Sequence, residues 1–260
     1  MVLRPISAAA HRPPGGHIVP AWTAVEETQR RQAPEYWLIT QPDHAALAGE
    51  LAARLGPPLL SALPAEVVRG IAVHDDGWAA LDAQVVAAPS RPTSFLDAPL
   101  PDFVRAWTAS IDRAEQMAPV AGVIVSRHFC RLGKARAESR ADSAKDAQHL
   151  CAFLAQEQQR QERLRQGESE EHLEFLTDVL QFCDLLSLYL CCGAQQDVEF
   201  PQRFGPQLRL TQLPGAGQKA AACRFEPSPF PGGVDIAVAA RRYPPSASEP
   251  NLLTLPFLLW

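Results

Sequence analysis

The sequence predicts a mainly α protein, a helical core followed by a small β-rich C-terminal appendage. Three observations carry that expectation. The longest periodic stretches, Ala147 to Arg165 and Ser169 to Cys192, place apolar residues at helical spacing and are split at Gly167. Nearer the start, Leu47, Leu51 and Leu55 recur every four residues, as on one face of a helix. After Gly193 the pattern changes to short apolar or alternating runs set between Pro and Gly, which read as strands. A chain of 260 residues that is 47% apolar has enough material for one large core.

Taken in order, residues 1 to 34 are rich in Pro, Gly, Arg and Gln without a sustained apolar period. They predict a loosely ordered extension with one short helix near Ala24 to Arg31. Tyr36 to Ile39 is a strand-like run, and Thr40-Gln41-Pro42-Asp43 starts a helix that continues to about Leu55, with Pro early and an acid in the first turn. A second helix begins at Ala65 after Pro64, runs to about Val73 and gives way near Gly77. Pro89 to Pro101 reads as a surface connection. Phe103 to Met117 stops before Pro119, and Val120 to Leu132 stops at Gly133. Gly133 to Asp146 is polar and reads as a solvated loop or exposed helix end. The expected strands are Leu208 to Leu213, Ala221 to Phe225, Val234 to Ala239 and Leu252 to Leu259. The resulting division is an extension over 1–34, a helical metal-binding core over 35–193 and a β-rich region packed on it over 194–260.

Charge and cysteine usage restrict the function classes. With 24 Lys+Arg against 29 Asp+Glu, the net charge is -5, which offers no basic field for nucleic acid or an anionic membrane. The most apolar stretch, Leu180 to Cys192, is interrupted by Asp184 and Ser187 and falls short of a membrane span. No secretory leader is evident before Pro20. The six cysteines lack zinc-ribbon spacing and read as buried, reduced thiols. A cytoplasmic protein acting on a small molecule, with no nucleic-acid or membrane partner, is expected.

Chemistry concentrates at four positions. His44 lies three residues before Leu47 on the inward stripe of its helix. His74 and Asp75 continue the apolar face formed by Val67, Val68 and Ile71. Asp184 shares a face with Leu173, Leu176, Leu180, Cys183 and Ser187, which puts a carboxylate inside an apolar stripe. Burying it unpaired costs several kcal/mol, so it requires an arginine or a metal. Two histidines and two carboxylates make an N/O ligand set suited to Fe, Mn, Zn or Ni. Each residue alone also has a plainer reading: His44 as a hydrogen-bonded core histidine, the His-Asp doublet as a helix end, Asp184 as the partner of an arginine such as Arg160.

The order His44, then His74-Asp75, then a distant Asp184 resembles the HD-domain superfamily of metal-dependent phosphohydrolases. The segments Gln41-Pro42-Asp43-His44-Ala45, His74-Asp75-Asp76-Gly77-Trp78, Ser126-Arg127-His128-Phe129 and Leu180 to Cys191 resemble a bacterial domain of unknown function, number 3891. The first resemblance implies an HD-domain-like helical core in which His44, His74, Asp75 and Asp184 hold one divalent metal, with His128 at or near a second. His149 is the other histidine before the final helix, and its polar surroundings favour an exposed position. Trp78 stands where many superfamily members carry a phosphate-facing lysine, so that cation must come from elsewhere, with Arg127 and Arg160 as candidates. As an enzyme, the chain would be a metal-dependent hydrolase of a phosphate ester or nucleotide-like molecule. Asp75 would ligate the metal and orient the nucleophile, and Asp76 or His128 would move a proton. For Asp76 the plainer reading, a cap or turn residue before Gly77, is favoured. Two other readings stand beside this one: a di-iron oxygenase of the HD type, which needs His128 and His149 to converge, and a non-catalytic metal-stabilised ligand-binding protein.

Overall fold

In a computed structural model of the chain, residues 1–6, 33–88, 91–139, 143–165, 167–194, 197–213, 221–247 and 250–260 are described. The helix expected near Ala24 to Arg31 falls outside them. Strands β1 (Val2–Pro5) and β2 (Tyr36–Ile39) precede the helices α1 (Gln41–Ala52), α2 (Ala65–Ala72) and α3 (Ala79–Ala87). There follow α4 (Leu100–Met117), α5 (Pro119–Ser139), α6 (Ala144–Leu164) and α7 (Glu170–Cys192). The chain closes with β3 (Val198–Arg203), β4 (Gln207–Gln212), β5 (Ala221–Glu226), β6 (Val234–Tyr243) and β7 (Leu252–Leu259).

All seven strands belong to one sheet, in the order β1-β2-β6-β7-β5-β4-β3. Its pairs are antiparallel except β5 with β7. The fold is therefore mixed α/β, which corrects the expectation of a mainly α, HD-domain-like core with a small β-rich appendage. The reason is long-range pairing: β2 joins β6 through Tyr36↔Tyr243, Trp37↔Arg242 and Leu38↔Arg241, so the two ends of the chain complete one sheet. Val2–Pro5, expected within the loose extension, is instead an edge strand paired with β2.

Strand β6 explains how the sheet meets the helices. Val234, Ile236, Val238 and Ala240 are buried while Asp235, Ala237 and Ala239 are exposed, the period-2 alternation of a half-covered sheet. The buried face packs on α1, and α7 lies against β1 and β3. On their other side α1 and α7 meet α2 and α5, which carry α4 and α6 outside them. Phe182 of α7 ties the layers together, with rings of Phe200, Phe204 and Phe225 between 4.8 and 6.0 Å away. Helix α7 is long and apolar enough to cross a bilayer by composition, and most of it is buried inside this fold.

Two local expectations also change. Helix α5 runs through Gly133 to Ser139. A lone interior glycine costs a helix only about 1 kcal/mol, and good helix formers follow it. Helix α3, which the sequence does not announce, places Val85 and Val86 against Tyr36 and Leu38.

Candidate metal centre

Each candidate ligand is placed by a local feature of its sequence. In α1, Thr40 caps the helix by accepting the Asp43 N–H at 3.0 Å, and Pro42 occupies the first turn. His44 then faces inward with Leu47, Ala48 and Leu51, all buried. Helix α2 ends at Val73, and His74 and Asp75 leave its last turn toward α1 and α7. Gly49 allows α1 and α2 to come this close, because a Cβ there would lie 2.4 Å from the Ala72 Cβ. After Asp75 the chain turns through a 3-10 segment, Asp76–Trp78. That turn docks on α4 at Gly77, whose N–H donates to Ser110 Oγ at 2.9 Å. A Cβ at Gly77 would stand 2.0 Å from the Ala106 carbonyl oxygen, so this close approach requires glycine. Asp184 enters from α7 and His128 from α5.

These five side chains converge. His44 Nε2 is 2.7 Å from Asp75 Oδ2, and His44 Nδ1 is 2.9 Å from Ser187 Oγ and 3.9 Å from Asp184 Oδ1. His74 Nε2 lies 3.3 Å from Asp184 Oδ1 and 3.8 Å from Asp75 Oδ2. His128 Nε2 lies 3.7 Å from Asp184 Oδ2. The His44 and His74 rings stand edge to face at 5.2 Å, as do those of His74 and His128 at 5.5 Å. Two trios, His44–His74–Asp75 and His74–His128–Asp184, each bring donor atoms within 4.8 Å of one another, with His74 common to both. Ligands about 2.0–2.2 Å from one tetrahedral ion stand about 3.3–3.6 Å apart, a spacing that the His74–Asp184 contact at 3.3 Å matches and the His74–Asp75 contact at 3.8 Å slightly exceeds.

The electrostatics of the cluster call for a cation. Burial alone would lower the His74 pKa, yet Asp75, Asp184 and the Ile71 carbonyl outweigh it and raise the imidazole to about 9. Burial likewise opposes ionisation of Asp184, but its hydrogen bond with His74 and the neighbouring histidines hold its carboxyl at about 2. Among the described residues neither Asp75 nor Asp184 has an arginine or lysine partner. The His74 Nδ1 faces the Ile71 carbonyl at 2.7 Å, so its N–H is donated there and Nε2 is turned to the two carboxylates. A positive charge at Nε2 is what both carboxylates need, as a proton or as a metal ion. The residues fit a metal: the backbone-fixed orientation of His74, two converging carboxylates, and a third imidazole, that of His128, whose Nε2 faces Asp184 and whose Nδ1 is buried with no partner among the described residues. Burial, partly offset by Asp184, lowers the His128 pKa to about 4.

The remaining sequence candidates lie elsewhere. Asp76 is half-buried and 3.7 Å from Arg113 Nε, and its carboxyl is pushed up chiefly by burial. Arg127 is tied to Glu170 and, at 3.5 Å, to Glu174. Arg160 is held by Asp112 at 2.6 Å, Glu115 at 2.8 Å and Glu157 at 3.2 Å. His149 is exposed on α6, outside the cluster. The sequence reading missed Arg131, which binds Asp178 at 2.7 Å as well as Glu174 and Gln181, and whose charge helps depress His128. The four-residue ladder Arg127, Arg131 on one helix against Glu170, Glu174, Asp178 on another was the available signal.

Fold and cluster define a class: a mixed α/β protein with a buried His/Asp centre suited to a metal ion. Its family model, described as a protein of unknown function (DUF3891), matches residues 28–244, and the chain belongs to that family. No curated protein and no solved structure matches the chain.

Proposed function

We propose that this protein holds one divalent transition metal, Fe, Mn, Zn or Ni, through His44, His74, Asp75 and Asp184, with room for a second near His128. It uses the metal to hydrolyse a phosphate ester or nucleotide-like small molecule. The observation that carries the metal is His74 Nε2, turned to Asp184 at 3.3 Å and Asp75 at 3.8 Å with no lysine or arginine partner for either carboxylate among the described residues. The HD-like order of the four ligands supports the hydrolase. When bound, such a metal polarises a phosphoryl oxygen and lowers the pKa of water toward about 7.

The chain's own residues do the rest. The side chains of Asp75 and Asp184 keep 10% and 8% exposure, so the carboxylate edge is the part of the cluster nearest solvent while the imidazoles stay buried. His128, its pKa lowered to about 4 by burial, is neutral and a weak base at neutral pH, and Asp76 with its raised carboxyl is the other candidate for moving a proton. The reading puts the protein in the cytoplasm with neither nucleic acid nor membrane as partner, supported by its charge of -5 and six free cysteines.

One observation favours a second reading, a non-catalytic metal-stabilised protein: Arg127 and Arg160, the expected phosphate-facing cations, are both engaged by carboxylates. The deciding assay is phosphate release from p-nitrophenyl phosphate and a nucleotide panel by protein loaded with each metal. The hydrolase reading expects turnover that Asp75→Asn abolishes while the fold survives. Metal that raises the melting temperature without turnover on any of these substrates overturns it in favour of the second.

A further inference from the structure

We propose that Ser187 is a positioning residue whose hydroxyl lets His44 exchange the nitrogen that carries its ring proton as the metal enters; this rests on the metal reading above. Ser187 Oγ lies 2.9 Å from His44 Nδ1 and 2.8 Å from the backbone carbonyl oxygen of Asp184. A hydroxyl has one proton to donate, so it serves one of these partners at a time and can accept from His44 while serving the other. On the opposite edge of the ring, His44 Nε2 lies 2.7 Å from Asp75 Oδ2, an atom that only accepts when ionised.

These contacts define two complete arrangements. Without metal, the single ring proton sits on Nε2 and is donated to Asp75, leaving Nδ1 to accept the Ser187 proton. With metal, Nε2 must offer its lone pair, so the ring proton leaves Nε2 and an equivalent one is taken up at Nδ1, with no change in ring charge. Ser187 then turns its own proton to the Asp184 carbonyl and accepts from Nδ1. Rotation about one C–O bond exchanges the two, and no buried donor is stranded in either. The serine is completely buried, so bulk water does not compete with it for His44 Nδ1. Because it lies three residues after Asp184 on the same helix, it also couples the placement of two ligands. Alanine removes the acceptor for Nδ1–H and so penalises the loaded state, while threonine keeps it.

The test uses full-length protein with ¹⁵N-labelled histidine, observed by long-range ¹H–¹⁵N correlation with and without Zn²⁺. Zn²⁺ titrations of wild type, Ser187→Ala and Ser187→Thr accompany the spectra. The proposal expects His44 protonated on Nε2 in the metal-free protein and on Nδ1 in the loaded one. It also expects about 10–100-fold weaker Zn²⁺ binding for Ser187→Ala, restored by threonine. It is overturned by the same tautomer in both states, by a doubly protonated His44 in the metal-free protein, or by wild-type affinity in Ser187→Ala. If that variant does not fold, the wild-type spectra still decide. Wild type that binds no Zn²⁺ refutes the metal reading itself, whereas tight binding with an unchanged tautomer refutes only the role of Ser187.

Discussion

Gly77→Ala probes how the His74-Asp75 turn is held. The added Cβ would lie 2.0 Å from the Ala106 carbonyl oxygen and 2.8 Å from the Ser110 backbone nitrogen. Both obstacles are main-chain atoms of α4, so no side chain can swing aside. Non-bonded heavy atoms settle at about 3.5 Å, which demands that the turn and α4 part by more than about 1 Å. Overpacking of this kind costs about 1–3 kcal/mol, and the lost unfolded-state freedom of glycine returns up to about 1 kcal/mol. A net loss of about 2 kcal/mol lowers the melting temperature of a chain this size by roughly 4–8 °C. The displacement also reaches the metal ligands, since Asp75 is two residues away. Differential scanning calorimetry of metal-free protein, paired with Zn²⁺ titration, checks both effects. A melting temperature within about 2 °C of wild type and unchanged Zn²⁺ affinity would refute the docking of this turn as described.

Arg160→Ala should destabilise by about 3 kcal/mol, because it removes the cation beside the fully buried Glu157. Urea unfolding should show most of that loss recovered when Glu157→Gln is added, and equal losses in both backgrounds would contradict it. His128→Ala should retain one equivalent of metal by elemental analysis, since His44, His74, Asp75 and Asp184 stay in place; loss of all metal would put His128 among the primary ligands. For pH, the His74 value rises in the folded protein from 6.5 to about 9. A raised value stabilises fully below the unfolded pKa and is lost as pH rises through the folded one, so metal-free protein should weaken between those two limits. Thermal melts across that window check it, and a flat profile would mean that the carboxylates do not act on His74 as described.

Helical periodicity makes the inward positions of His44 and Asp184 legible, because each lies on an apolar stripe that can face only inward. His44 precedes Leu47 by one turn, and Asp184 sits among Leu180, Cys183 and Ser187. The sheet was harder to read for the opposite reason. Its β6 and β7 alternate locally, but β1 has four residues and pairs across the chain, and β3 carries Pro201. Strand pairing between residues 36 and 243 leaves no trace in either segment. Arg127 and Arg160 read as available for substrate because these partners come from other helices, at Glu170, Asp112 and Glu115; charge spacing hints at the first contact only once the two helices are known to pack, and no local pattern announces the other two.

The central claim is a metal held by two histidines and two aspartates. Metal content by plasma mass spectrometry, on protein purified without an affinity metal, tests it most directly when wild type is compared with Asp184→Ala. The account predicts near-stoichiometric Fe, Mn, Zn or Ni in wild type and its loss in the variant. Wild type that stays metal-free after reconstitution, or a variant that keeps a full complement, would contradict it.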